Sequence, residues 1–254
     1  MTLPSFGNTA PFMFANGWQG LIPIVPRQKI PAVREWQRWN SADQKEAEVE
    51  ALASAFPHHG IGMCSGNGIT MLDMDITDKL ASQLAYRLMV QMLGKTQFIR
   101  IGKQPKFVAL YRSEYPRKLV NPYGLPVEVY GGAKGSVGQV VLTGIHPDLG
   151  RPYRWPIDAP WESSVSEVPI VEVEAIELFL QALAATPSII LKQNINRETG
   201  IAIDKPVTAQ SARELMRTNP RDPMEPLARW MAGATEGARH YVAAACLTAL
   251  FTSR

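Results

Sequence analysis

The chain has 254 residues, 46% hydrophobic and 19% charged, with a formal net charge of +3, an ordinary globular composition that excludes a disordered or fibrous chain. No apolar run approaches the ~20 residues of a membrane-spanning helix, and the opening MTLPSFGNTAPFMF has neither the basic nor the apolar stretch of a secretory leader, so a cytoplasmic protein with no membrane partner is expected. The cysteines, Cys64 and Cys246, lie too far apart for a disulfide framework or a CxxC zinc site and read as free thiols.

Up to about Trp39 the chain is rich in Pro, Gly and Trp, which predicts short extended pieces and turns. Ser41 then stands as an N-cap before ADQKEAEVEALASAF, where Ala47, Val49, Leu52, Ala53 and Phe56 recur at helical spacing. HHGIGMCSGNG reads as a glycine-punctuated loop, and ITMLDMDI as a buried strand with its carboxylates at the exit. KLASQLAYRLMVQMLG predicts a helix capped by Asp78, with Leu80, Leu84, Leu88 and Met92 along its inward face and Gly94 as its stop. QFIRI and KFVALYR on either side of the GKQP turn, then LPVEVY and GQVVLTG, read as strands. VEAIELFLQALAA predicts a further helix. A run of strands after helix, strand, helix indicates an α/β or α+β fold. The expected division is a catalytic domain over 1–186, a linker over 187–207, and a helical appendage over 208–254 that ends without a C-cap, as in a fragment of something longer.

LDMDITD is the strongest local signal. Strand alternation puts Asp73 and Asp75 on one face and Leu72, Met74 and Ile76 on the other. Two carboxylates so placed repel unless a cation sits between them, and their hard oxygens suit Mg²⁺ or Mn²⁺; the same pattern also suits a solvated strand end. Between Lys95 and Lys118 the only acid is Glu114, and Arg100, Lys103 and Lys106 flank one hairpin turn, where three cations round one spot would hold phosphates, unless the hairpin is simply solvated. Glu128 in LPVEVYGG alternates with Val127 and Val129; on a strand beside Asp73 it would supply a third metal-binding carboxylate, and otherwise it is a surface glutamate. His146 either donates to a phosphate or sugar or packs with Tyr153 and Trp155. GGAKGSVG lacks the GK[ST] of a P-loop.

In order and spacing the chain resembles the primase-polymerase domain of phage and plasmid replication proteins, within the archaeo-eukaryotic primase superfamily. GLIPIVPRQKIPAVREW resembles that family's opening, GIGMCSGNGITMLDMDITD its glycine loop and first metal motif, VEVYGG its third motif, and GQVVLTGIHPDLGRPYRW the strand and turn that follow; together these span about residues 17 to 156. Many relatives carry a Ser-x-His second motif, whereas here RIGKQPKFVALYR has no histidine and Lys106 stands near that place. The resemblance implies an N-terminal α/β unit, an RRM-like antiparallel sheet and appended helices. It also implies template-directed nucleotidyl transfer as a DNA primase and polymerase. Asp73, Asp75 and Glu128 would hold two Mg²⁺ or Mn²⁺ ions, with Arg100, Lys103, Lys106 and His146 on the nucleotide. The expected partners are a single-stranded DNA template with primer, dNTPs or NTPs, and a replicative helicase domain or protein, which the final EGARHYVAAACLTAL suggests. Two alternatives stay open: a catalytically silent replication-initiation or DNA-binding module of the same fold, and a metal-dependent nuclease. The triphosphate-sized basic hairpin ranks polymerase above nuclease.

Overall fold

A computed structural model describes residues 3–186; the expected linker, the helical appendage and Cys246 lie outside the described residues. In chain order the elements are α1 (Phe6–Ala15), β1 (Leu21–Ile24), a short 3-10 helix (Trp36–Asn40), α2 (Glu46–Ala55), β2 (Gly60–Cys64), β3 (Ile69–Met74), α3 (Lys79–Leu93), β4 (Ile99–Arg100), β5 (Phe107–Arg112), β6 (Leu119–Val120), β7 (Val127–Tyr130), β8 (Gln139–Val141) and α4 (Val173–Ala184). The strands form a three-stranded sheet, β1-β2-β8, and a five-stranded sheet, β4-β5-β3-β7-β6. Every ladder between these strands is antiparallel, so the fold is α+β and the expected antiparallel sheet is present. One compact unit, Met1–Pro122 with Pro126–Ala175, contains both sheets. In α4, Ile176, Phe179, Leu180 and Leu183 are buried at i, i+3, i+4 and i+7.

The first segment is not irregular. α1 forms because the Ser5 N–H donates to Asn8 Oδ1 at 2.9 Å, the Phe6 and Gly7 N–H groups donate to the carbonyls of His59 and Pro57, and Phe6, Ala10 and Met13 bury one stripe. α2 starts later than expected, at Glu46 rather than behind Ser41, because the Glu48 carboxylate accepts from the Lys45 N–H at 2.9 Å. GIGMC is no loop but β2, the middle strand of the first sheet. A Cβ on Gly60 would lie 2.6 Å from the Thr143 carbonyl oxygen and one on Gly62 2.6 Å from Ile24 Cδ1, so these glycines allow close approach rather than a turn.

α3 is capped by Asp78, whose Oδ1 accepts from the Ala81 N–H at 2.9 Å, and stops at Gly94 with φ 81°. Its inward face differs from the expected one. Ala81, Ser82, Ala85, Met89 and Leu93 are buried, whereas Leu80 is 66% exposed and Leu84 39%. Small residues let the helix lie close: Ser82 Oγ donates to the Pro105 carbonyl at 2.7 Å, and Tyr86 meets Phe107 edge-on at 5.8 Å. One apolar cluster joins Phe6 and Met13 of α1, Val49 of α2, Leu21, Ile61 and Met63 of the first sheet, and Met71, Val108 and Leu110 of the second.

Between the sheets the backbone crosses itself at glycines. The Gly66 and Gly68 N–H groups donate to the carbonyls of Gly131 and Gly132 at 2.9 and 2.8 Å, and Ser113 N–H donates to Gly68 at 3.0 Å. Asn40 Nδ2 adds bonds to the Ser65 and Gly138 carbonyls at 2.9 and 3.0 Å. A Cβ on Gly132 would lie far inside van der Waals contact with the Ser113 carbonyl oxygen, whereas one on Gly135 would meet nothing within 4 Å. Gly132→Ala should therefore cost about 3 kcal/mol or more by forcing backbone apart, and Gly135→Ala, strained only by its positive φ, about 1 kcal/mol; urea unfolding measures both, and equal losses would contradict this reading of the crossing.

Candidate active site

The register of β3 builds the site. Asp73 pairs directly with Glu128 on β7 and with Val108 on β5, and Val108 in turn pairs with Arg100 on β4. Directly paired residues point to one face, so Arg100, Asp73 and Glu128 lie in a single row across the sheet. Leu72 and Met74 are buried on the opposite face. The strand ends at Met74, yet Asp75 stays tied to the sheet because its N–H donates to the Pro126 carbonyl at 2.9 Å. Asp73 and Glu128 thus share one face, and Asp75, one residue beyond the strand, lies near enough for its charge to act on Asp73.

Each carboxylate has a different electrostatic setting. Burial pushes the Asp73 carboxyl up to about 6, and Asp75 and Glu128 act in the same direction, against the pull of Arg100 and Lys29. Asp75 Oδ1 lies 3.1 Å from Lys106 Nζ. Glu128 Oε2 accepts from the Tyr130 hydroxyl at 2.5 Å and lies 3.2 Å from Lys118 Nζ, while the Lys118 ammonium stands 4.4 Å from the Tyr130 ring centroid. Burial, then the Glu128 hydrogen bond, raise the pKa of Tyr130 and keep it a donor. Among the described residues no three His, Cys, Asp or Glu side chains form a ready metal cluster.

The hairpin cations do not gather round one spot. Arg100 is buried; its guanidinium donates to the Val141 carbonyl of the first sheet and stands 4.8 Å from the Tyr153 ring, so it ties the two sheets together. Lys106 is committed to Asp75, and Lys103 is exposed in the turn. His146 is buried against Tyr153 at 5.3 Å between ring centroids, and its Nδ1 accepts from the Asp148 N–H at 3.2 Å, which leaves Nε2 to carry the proton of the neutral ring. Burial, then Lys29, with Arg100 and Lys103 adding to them, lower its pKa. A Cβ on Gly102 would come within 2.9 Å of Tyr153 and 3.0 Å of His146, so the turn backbone rests on both rings.

Sequence reasoning passed over Lys29 and Tyr130; it named Lys118 only as the end of the basic run, and Tyr153 as a packing partner of His146, which it is. Tyr130 was readable: two residues after Glu128 on one strand, it shares that face. Lys29 is placed by its own carbonyl, which accepts from Gln139 Nε2 at 2.9 Å, a contact no local pattern announces. Burial pushes the Cys64 thiol up to about 12, so it is inert.

Residues 10–170 match the Prim-Pol family, described as bifunctional DNA primase/polymerase, N-terminal. The chain belongs to this family. The match takes in both sheets and every site residue named above, and it ends before α4. No curated protein matches the chain. The Prim-Pol domain is thus a nucleotidyltransferase-like enzyme of the DNA primase/polymerase type. No helix among its described residues is long and apolar enough to cross a membrane.

Because the folded state raises the Asp73 pKa from 3.8 to about 6, burying the ionised carboxylate costs stability above pH 6, and that cost disappears as pH falls below the unfolded value. In EDTA, Asp73→Asn should therefore raise the unfolding free energy of the Prim-Pol domain at pH 8 by about 1–3 kcal/mol, a gain that shrinks through pH 5 and is gone by about pH 3. Chemical denaturation across that range checks it; a loss at pH 8 would contradict the charge balance described.

Proposed function

We propose that the Prim-Pol domain performs template-directed nucleotidyl transfer, starting and extending primers on single-stranded DNA from dNTPs or NTPs, with Asp73, Asp75 and Glu128 holding two divalent ions, Mg²⁺ or Mn²⁺. The observation that carries this reading is the direct pairing of Asp73 with Glu128 across β3 and β7, with Asp75 held beside them by its bond to Pro126. The donor set fits a hard cation. It is all carboxylate oxygen, and burial first, then its two acidic neighbours, raise the Asp73 carboxyl, a cost of ionisation that a divalent cation offsets. When bound, such ions activate a primer 3′-hydroxyl and neutralise a triphosphate.

The chain's own residues do the rest. Lys103, exposed in the turn, and Lys106, partly exposed beside Asp75, offer ammonium groups to phosphate oxygens. Arg100 acts from inside as a fixed positive charge: its side chain is anchored on the Val141 carbonyl and Tyr153, and its field reaches Asp73. His146, neutral and with Nδ1 already accepting, keeps Nε2–H as a donor for a nucleotide oxygen. Against a nuclease, this reading is supported by the number of cations around a row of only three carboxylates.

Asp73→Ala, Asp75→Ala and Glu128→Gln should each lower incorporation of labelled dNTP on a primed template by about 100-fold or more, with binding of single-stranded DNA kept. Incorporation near the wild-type rate in these variants would sink the ligand assignment, and metal-dependent loss of template without incorporation would move the reading to a nuclease. Lys103→Ala should raise the KM for nucleotide more than the Kd for template, because a single exposed cation contributes far more to one triphosphate than to a long backbone; steady-state kinetics and fluorescence anisotropy compare the two.

A further inference from the structure

The carboxylates of the site are balanced by cations of two kinds. The cation facing Asp73 is Arg100, buried and anchored by the Val141 carbonyl and the Tyr153 ring. The cations on Asp75 and Glu128 are lysines, which approach from the two sides of β3: Lys106 from the hairpin between β4 and β5, Lys118 from the segment entering β6. Side-chain exposure is 32% and 48% for Lys106 and Asp75, and 27% and 28% for Lys118 and Glu128. Both ammonium groups therefore sit at the water boundary on flexible four-carbon stems.

We infer that Lys106 and Lys118 are exchangeable counter-ions, each holding its carboxylate until a divalent ion displaces it and each then turning to the phosphates of the nucleotide, so that ion and nucleotide reinforce one another's binding. The inference deepens the proposed function and rests on its assignment of Asp75 and Glu128 as ion ligands. An ion reaching either carboxylate must first part it from an ammonium, and an ion pair this exposed is worth only a factor of about two to five in an equilibrium. The exchange is therefore cheap enough to be reversible. Lys118 has a second resting place, since the Tyr130 ring lies 4.4 Å from its ammonium. The Tyr130 hydroxyl meanwhile keeps its bond to Glu128 Oε2, so the carboxylate stays oriented when the lysine leaves. Gly138, with φ 126°, makes this arrangement possible: a Cβ there would lie 2.6 Å from the Tyr130 ring and 3.6 Å from Lys118 Cδ. Linkage requires reciprocity, so whatever factor the ion gains from the lysine's departure, the nucleotide gains from the ion's arrival.

The test separates the two ligands, using the full chain. Mn²⁺ binding is measured without nucleotide, by electron paramagnetic resonance of the free ion and by calorimetry; nucleoside triphosphate binding is measured at saturating Mn²⁺, where both lysines have left their carboxylates. Lys106→Met and Lys118→Met should each bind Mn²⁺ about two- to fivefold more tightly than the wild type and bind triphosphate more weakly, with unchanged circular dichroism. Lys118→Arg should stay near wild-type in both. Lys103→Met removes a cation of the same hairpin that pairs with no carboxylate among the described residues, and it should weaken triphosphate binding without tightening Mn²⁺. A purely structural lysine would not move the two affinities in opposite directions. Unchanged or weaker Mn²⁺ binding in both lysine variants overturns the inference, and the ligand assignment then stands if the double variant Asp73→Asn, Glu128→Gln has lost Mn²⁺ binding. Wild-type Mn²⁺ binding by that double variant overturns the assignment and the inference together.

Discussion

Everything in the site hangs on the pairing register of β3. Its two neighbours, β5 and β7, meet it at Asp73 with Val108 and Glu128, and a slip of one residue on either side would turn Leu72 and Met74 toward water and the carboxylates toward α3. That register is held from both directions. Met71, Val108 and Leu110 belong to the cluster shared with the first sheet, while Leu72, Met74, Val127 and Val129 are buried on the other face. At the start of the strand, Thr70 Oγ1 accepts from the Gly132 N–H at 3.0 Å and donates to the Ser113 carbonyl at 3.1 Å, which locks both neighbours to one level. The chemistry at one end of β3 is thus set by glycine contacts at the other.

The same alternation explains what could be read without coordinates. β7 alternates valine with polar residues, and β3 and β5 are short apolar runs buried on both faces, so the strands follow from the order of residues alone. Glu128 followed too, once its strand was placed beside β3. What escaped reading has a physical reason in each case. The stripe of Leu80, Leu84, Leu88 and Met92 is as regular as the true one, but burial went to Ala81, Ser82 and Ala85, because close helix-to-sheet approach rewards small side chains that a hydrophobicity count passes over. β2 reads as a loop because its glycines serve the Thr143 carbonyl and Ile24 rather than a turn. α1 reads as irregular because Gly7 and Pro11 mask a stripe at i, i+4 and i+7. Lys118 reaches Glu128 only through the pairing of β6 with β7, which is tertiary information.

The basic run between Lys95 and Lys118 is one patch in the sequence and a gradient in the structure. Arg100 is buried and lies in the row of Asp73, Lys106 and Lys118 sit half in water on the flanking carboxylates, and Lys103 is exposed. Burying a guanidinium costs free energy unless it is paired and hydrogen-bonded, and here the pairing is incomplete: Arg100 Nε is buried without a partner. The position is therefore hard to justify by stability. Its effect is electrostatic, since a positive charge that cannot leave opposes the rise in the Asp73 pKa that burial and two acidic neighbours produce.

Depth then separates the duties that one patch of cations would otherwise share. A charge fixed in the interior acts at short range through a low-dielectric medium, costs no reorganisation when a ligand arrives, and cannot follow a ligand. An ammonium at the boundary is screened and weakly paired, but it can change partners within the reach of its stem. The site as proposed receives both a cation and a polyanion, and such a site needs both kinds. Were all the lysines fixed on the carboxylates, a divalent ion would meet a neutralised surface; were Arg100 mobile, Asp73 would hold its proton to higher pH and present a poorer ligand. The arrangement across the row, guanidinium inside and ammonium groups at the rim, meets both demands because the β4–β5 hairpin turns back on the rings of His146 and Tyr153, with Gly102 allowing that contact, and so sends Arg100 inward while leaving Lys103 in water.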